Sequence, residues 1–298
     1  MNSDYLKYYN AFIKSIGIIF IILLSSSNVH SNPNCDNLKI GVANWQSASF
    51  LAHLDKVNLE KQFNCSIEMI SGEPGELLEL FFTGQLDILP EYWEISNKNY
   101  FDLYSTKSEI KYQSVNIFNQ GGFGGIWLAS KKQKNEPLYA EDLDLVIHEF
   151  SNSNRPLVFH GCPKSWGCYE QTEKFIKDYN LIDKGFTIYT PSSEMDMSLN
   201  LYEKSGKFHP WFGYYWSPTS LVDSSNLQLI NFSSNQEYFP KENVFTLINQ
   251  KVSDQSAILN YFQKRVFDNA QLISILDWQE KNHATFTETV YYSISLNE

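Results

Sequence analysis

The chain has 298 residues, room for one large domain or two of about 130 each. Lys and Arg number 23 against 34 Asp and Glu, a net charge of −11. That balance excludes the basic face on which non-specific nucleic-acid binding depends. A hydrophobic content of 43% excludes extended disorder, and 46 aromatic residues against 14 glycines make ring placement the main functional signal.

The first 31 residues read as a cleaved signal peptide. Lys7 and Lys14 form a basic start, Ile16 to Leu24 an apolar core, and Val29-His30-Ser31 a small-x-small cleavage pattern. The apolar stretch is shorter than the roughly 20 residues of a membrane span. Cys35 follows Pro33-Asn34 rather than a lipobox, so a lipid anchor is not expected. An exported chain, periplasmic by this reading, permits disulfides. Cys35 precedes an apolar run at 38–42 and Cys65 opens another at 66–70, while Cys162 and Cys168 flank a tight loop. Pairing 35–65 with 162–168 is expected; the spacing does not suit a zinc site.

Strand and helix patterns alternate from residue 38 onward. Strand 38–42, helix 47–62, strand 66–70, a helix opened by Pro74 and ended at Gly84, and strand 86–89 stopping at Pro90 predict a parallel α/β sheet. The glycine cluster Gly121-Gly122-Phe123-Gly124-Gly125 lacks a following Lys-Ser/Thr and reads as a hinge crossover rather than a phosphate loop. After it come a helix near 139–149, strand 157–160, helix 169–180, strand 186–190, helix 192–205 and strand 211–216, with 131–136 a polar turn. Apolar runs at 227–232 and 244–248 lead to helices at 253–264 and 268–281. Two α/β lobes, the second inserted into the first, fit the length. The boundaries are 32–122 for the first part of lobe 1, 123–231 for lobe 2 and 232–298 for the return to lobe 1.

Ligands of open parallel sheets bind beyond the carboxyl ends of the strands. Trp45 follows the first strand, Glu91-Tyr92-Trp93-Glu94 the third, and Trp166 lies in the cysteine loop. Trp211 to Trp216, including Tyr214, form an aromatic strand. Tryptophan faces suit a quaternary ammonium, each worth roughly 0.5–2 kcal/mol. Three rings then supply about half of the ~8 kcal/mol of a micromolar complex. Sugar stacking is the competing use of such faces.

Cys162-Pro163-Lys164-Ser165-Trp166-Gly167-Cys168, followed by Trp211-Phe212-Gly213-Tyr214-Tyr215-Trp216-Ser217-Pro218-Thr219, resembles the glycine betaine/proline-type substrate-binding proteins of ABC transporters. Glu91-Tyr92-Trp93, after the Gly84 to Ile88 strand entry, is similar too. The resemblance implies a two-lobed type II periplasmic binding fold without catalysis or cofactor. It implies Trp93, Trp166 and Trp216 as cage rings, with a ligand carboxylate meeting the N–H groups of Gly167 and Cys168 at a helix start. One departure stands out: some members carry a His four residues after the first cage Trp, where this chain has Asn97.

The remaining constellations carry less. His53, His148, His160 and His209 have no metal-ligand spacing, so no metal is expected. Glu73, Glu76, Asp87, Glu91 and Glu94 form an acidic group near the cleft, mostly helix-start and turn acids, with Glu91 the candidate to face a cation. The expected protein is therefore a monomeric osmoprotective receptor that passes a betaine-like ligand to an inner-membrane ABC permease. The alternatives are a receptor for trimethylamine N-oxide, choline or a sulfonium osmolyte, and a secreted carbohydrate-active enzyme.

Overall fold

β1 (Leu38–Ala43) and β2 (Ile67–Gly72) pair in parallel, Leu38 opposite Ile67 through Ala43 opposite Gly72. The intervening chain returns as helix α1 (Gln46–Phe63), the long crossover that parallel strands require. α1 buries Phe50, Leu51, Leu54 and Leu59 and stops at Asn64, which takes the left-handed φ of 56°. α2 (Pro74–Phe82) begins with a capping box between Glu73 and Glu76 and leads to β3 (Ile88–Trp93). The computed structural model describes residues 35–129, 138–140, 143–152, 154–205, 210–221, 227–232 and 238–296. The expected signal peptide, the polar turn at 131–136 and His209 lie outside the described residues.

β3 does not stop at Pro90. It continues to Trp93 and pairs antiparallel with β11 (Val244–Asn249), Leu89 opposite Leu247 and Tyr92 opposite Phe245. Pro90 and Glu91 therefore face the single residue Thr246, which is a β-bulge. The bulge accommodates a residue that has no N–H to give a ladder. The Pro90 carbonyl is still used, accepting from the Thr246 hydroxyl at 2.8 Å.

α3 (Lys98–Ser105) and β4 (Tyr112–Asn116) complete the first sheet, whose order is β2-β1-β3-β11-β4. The sheet is mixed rather than parallel, because β11 arrives from the returning chain and runs antiparallel to both β3 and β4. Between β4 and β11 the chain builds a second sheet. It comprises β5 (Phe123–Ala129), β6 (Leu138–Tyr139), β7 (Val158–His160), β8 (Thr187–Tyr189), β9 (Trp211–Ser217) and β10 (Leu227–Asn231), ordered β6-β10-β5-β9-β7-β8. It too is mixed: β5 runs antiparallel to both β9 and β10.

Helices α4 (Leu143–Asn152), α5 (Cys168–Asp178) and α6 (Glu194–Ser205) belong to this second series. The returning chain adds α7 (Gln250–Ser253), α8 (Ser256–Lys264), α9 (Asn269–Asn282) and α10 (Phe286–Ser295). Both sheets fall within one unit, Pro33–Glu298. The helix expected near 139–149 lies a few residues later, with Tyr139 in β6 instead.

Cys35 is bonded to Cys65 and Cys162 to Cys168, with Cα–Cα distances of 5.0 and 5.9 Å. The first bond ties the start of β1 to the start of β2, and the second closes the loop before α5. Below the first sheet, Asp55 of α1 and Arg265 after α8 form a fully buried ion pair at 2.7 Å. Arg265 also donates to the Thr246 hydroxyl beside the bulge.

Candidate functional site

The site collects where strands of both sheets end. β1 ends at Ala43, so Asn44 and Trp45 fall at the start of α1. β3 carries Glu91 and Trp93, and the Trp93 indole N–H donates to the Glu91 carboxylate. β9 likewise puts Tyr214 and Trp216 on one face. The disulfide loop holds Trp166 at its tip, and Gly167 is the N-cap of α5.

These elements enclose about 360 Å³ of empty space, lined by Trp45, Pro74, Trp93, Ser96, Asn97, Trp166, Gly167, Cys168, Tyr214 and Trp216. Trp166 is the central ring. Its centroid is 5.3 Å from that of Trp45 and 5.3 Å from that of Trp216, edge to face in both cases. Trp216 is backed by the Tyr215 ring, stacked at 4.6 Å. Glycines make room for the rings: a Cβ on Gly122 would lie 2.5 Å from the Trp93 ring, and one on Gly124 would lie 2.7 Å from Tyr214. A Cβ on Gly167 would collide with the Ser96 carbonyl, so the disulfide loop can reach the pocket only with glycine there. The glycine cluster, read from sequence as a hinge crossover, thus supports the site rings.

Three of the four indole N–H groups are anchored outside the cavity. Trp45 and Trp93 both donate to Glu91 Oε1 at 2.8 Å, and Ser47 adds a third donor at 3.1 Å. Trp166 donates to Asn44 Oδ1 at 3.1 Å, while Asn44 donates to Glu73 Oε1 and Ser165 to Glu73 Oε2. Glu242 accepts from the Ile95 and Ser96 N–H groups and from the Ser96 hydroxyl. Burial raises the Glu91 carboxyl above the usual range, against the pull of its three hydrogen bonds, and raises Glu242 in the same way. Burial first, and Glu242 second, push up the Tyr214 hydroxyl. None of the lining residues is basic. The rings and the carboxylates behind them make a wall that favours positive charge. Opposite them, the first turn of α5 starts at Gly167 with no side-chain cap, an N-terminus open to an anion.

Of the residues expected from sequence, Trp45, Trp93, Trp166, Trp216, Tyr214, Gly167 and Cys168 line this cavity, whereas Glu91 lies behind two of the rings. Asn97 lines it as well, 5% exposed, with its Oδ1 unpartnered. Pro74 and Ser96 were not expected there. Pro74 carried a helix-start signal and a place at the end of the second strand, and nothing in the sequence marks Ser96 or its partner Glu242. The other acids are dispersed: Glu76 belongs to the α2 capping box, Asp87 accepts from Asn249, and Glu94 accepts from Asn243. His53 stacks on Phe286 and His160 on Trp211, and His148 lies by Asn152. Among the described residues no group of three or more His, Cys, Asp or Glu is arranged to hold a metal ion. No helix among them is long and apolar enough to cross a membrane.

Residues 36–292 match the family model for the substrate-binding domain of ABC-type glycine betaine transport systems. Among solved structures, a glycine betaine/L-proline-binding protein from Borrelia burgdorferi aligns with a TM-score of 0.71 at 18% identity, over 88% of this chain and 93% of that one. A lactococcal protein in its closed, glycine betaine-bound conformation gives 0.70 at 15%, over 88% and 96%. A choline-binding protein of an ABC transporter, in complex with choline, gives 0.69 at 12%, over 88% of each chain. Among curated proteins no relative matches. The fold is that of two-lobed binding proteins, with the cavity between the two sheets. The chain belongs to the family of substrate-binding domains of ABC-type glycine betaine transport systems, a family of receptors and not of enzymes.

Proposed function

We propose that this receptor captures glycine betaine, or a closely related methylated amine, between its lobes and presents it to an inner-membrane permease from the periplasm. The observation that carries the reading is one small cavity lined by four tryptophans, two from each side of the cleft, with no basic residue and with an uncapped helix start at Gly167 and Cys168. A trimethylammonium group cannot donate hydrogen bonds and gains instead from ring faces, about 0.5–2 kcal/mol each. Trp93, Trp166 and Trp216 form the cage, and Trp45 closes it beside Trp166. The ligand carboxylate then meets the N–H groups of Gly167 and Cys168. The signal peptide read at 1–31 delivers the chain to the periplasm, where it acts as a monomer.

Asn97 supports choline as a second reading. Its buried Oδ1 lacks a donor, and a ligand hydroxyl could supply one where a carboxylate could not. Thermal shift followed by calorimetry against glycine betaine, choline, trimethylamine N-oxide and a sulfonium osmolyte separates these readings. Glycine betaine is expected to stabilise most. A ligand at 100 times its Kd adds about 2.7 kcal/mol. Stabilisation by choline alone would replace the first reading with the second, and no response to any methylated amine would sink both.

A further inference from the structure

We infer that Glu91 is the counter-charge of the tryptophan cage: a positioning residue that touches no ligand but makes the pocket demand a cation rather than a neutral group of the same shape. The inference rests on the proposed capture of a methylated amine and adds the source of its charge selectivity. Glu91 is 2% exposed. It sits at the β-bulge where Pro90 and Glu91 oppose Thr246, and a bulge turns a side chain away from the regular pleat. Its Oε1 gathers the indole N–H groups of Trp45 and Trp93, both at 2.8 Å, and the Ser47 hydroxyl.

That arrangement does two things. It fixes two rings, one at the start of α1 and one on β3, against one oxygen atom, so their faces are held before any ligand arrives. It also lays a carboxylate along the edges of both rings on the side away from the cavity. The positive edge of each indole meets the carboxylate, and the negative face is left for the cavity. Burial disfavours the charged form of Glu91 in the ligand-free pocket, where little compensates it. Oε2 has no hydrogen-bond partner, and no basic side chain lines the pocket. Arg265, the cation that bears on Glu91, is committed to Asp55. A buried carboxylate without a cation is costly, and a cation held against the other face of the same rings relieves that cost. A neutral ligand cannot.

The test compares glycine betaine with 3,3-dimethylbutanoate, in which a carbon replaces the ammonium nitrogen and the shape and carboxylate are kept. Both are titrated into the wild-type chain, Glu91→Gln and Glu91→Asp by calorimetry, after circular dichroism has checked each fold. The wild-type protein is expected to prefer glycine betaine by at least a hundredfold. Glu91→Gln, which keeps an acceptor for the indoles but loses the charge, should narrow that preference at least tenfold without weakening 3,3-dimethylbutanoate. Glu91→Asp keeps the charge and should keep the preference even if both affinities fall together. Equal losses for both ligands in Glu91→Gln would reduce Glu91 to a structural role and overturn the inference. An unchanged preference would overturn it too, and so would loss of preference in Glu91→Asp, which stands in as a test should the Gln variant fail to fold. If the wild-type chain binds choline or another methylated amine but not glycine betaine, choline and its carbon isostere 3,3-dimethylbutanol replace the pair. Binding of no methylated amine by the wild-type chain would remove the proposed function itself, and this inference with it.

Discussion

Glu194 of α6 caps helix α1 from across the cleft, its Oε2 accepting the Gln46 N–H at 2.5 Å. α1 has no cap of its own: Trp45, at the N-cap, offers no acceptor, and the first turn contains no acid. A helix start with free N–H groups attracts a carboxylate. Here that carboxylate comes from the other lobe, so the helix that presents Trp45 is satisfied when the lobes meet. Ser220, after β9, adds hydrogen bonds to Gln46 and to Glu280 of α9 in the same region.

This contact gives closure a pH dependence. Burial, with Glu91 and Glu280 nearby, raises the Glu194 carboxyl to about 8, against the lowering effect of the Gln46 N–H. In an opened cleft the same group is solvated, with an ordinary value near 4.5. The closed form therefore holds the extra proton between those values, and closure weakens as pH rises from about 4.5 to 8 and levels off above. Ligand affinity is expected to fall with pH through this window, by at most tenfold per unit. Glu194→Gln should flatten that slope while remaining able to cap α1. Calorimetric titrations of both proteins between pH 5 and 9 check it, and an affinity that rises with pH in the wild-type chain would contradict the assignment.

Trp166→Ala is expected to weaken ligand binding by about 1–2 kcal/mol, roughly five- to thirtyfold, with the fold retained. The ring touches Trp45 and Trp216 edge to face and is tethered by Asn44, so it is part of the cavity rather than of either sheet's interior. Calorimetry on protein with a wild-type circular dichroism spectrum measures the loss. Unaltered affinity would show that the cage is built without it.

Much of this site was legible because strand ends and ring positions are local signals. Trp45, Trp93 and Trp166 could be assigned to the rim from the runs preceding them, and both disulfides from their flanking segments. What sequence could not supply were relations between distant segments. The bulge that turns Glu91 inward needs Thr246, more than 150 positions away, and Pro90 alone read as the end of a strand. The mixed first sheet has the same origin, since the direction of β11 is set by the returning chain. β5 was hidden by the glycines before and within it: the missing side chains of Gly122 and Gly124 are the space that Trp93 and Tyr214 fill. α10 has its start spelled out in the sequence, where Thr285 and Glu288 form a capping box.

The two disulfides should separate stability from binding. The bond between Cys35 and Cys65 spans 30 residues and that between Cys162 and Cys168 only 6. Loop-closure entropy then assigns about 3.6 kcal/mol to the first and about 2.2 kcal/mol to the second. Replacing Cys35 and Cys65 with Ala is expected to lower the denaturant midpoint more, with ligand affinity nearly unchanged. Replacing Cys162 and Cys168 should cost less stability but more affinity, because that loop carries Trp166 and Gly167 into the cavity. Equilibrium unfolding and calorimetry on both double variants decide this, and an inverted order in either readout would break the division of roles.

Closure supplies the last expectation. Trp45 and Trp93 belong to the first sheet's side of the cavity, and Trp166 and Trp216 to the second, so neither side alone surrounds an ammonium group. Polar contacts cross with them: Trp166 to Asn44, Ser165 to Glu73, and Asn99 to Glu170 at 2.9 Å. Most of these join solvent-edge groups that water can satisfy when the lobes part, so each contributes only about 0.5–1.5 kcal/mol to holding them together. A ligand that touches rings from both sides binds the closed form better and shifts the population toward it, by no more than its differential affinity. Small-angle scattering should therefore give a smaller radius of gyration in saturating ligand. Trp93→Ala removes one side of the clamp and should abolish both the compaction and the accompanying tryptophan fluorescence change, whereas Asn44→Ala, which loosens only a tether, should reduce affinity and still compact. Identical scattering profiles with and without a ligand shown by calorimetry to bind would rule out the clamp while leaving the family assignment untouched.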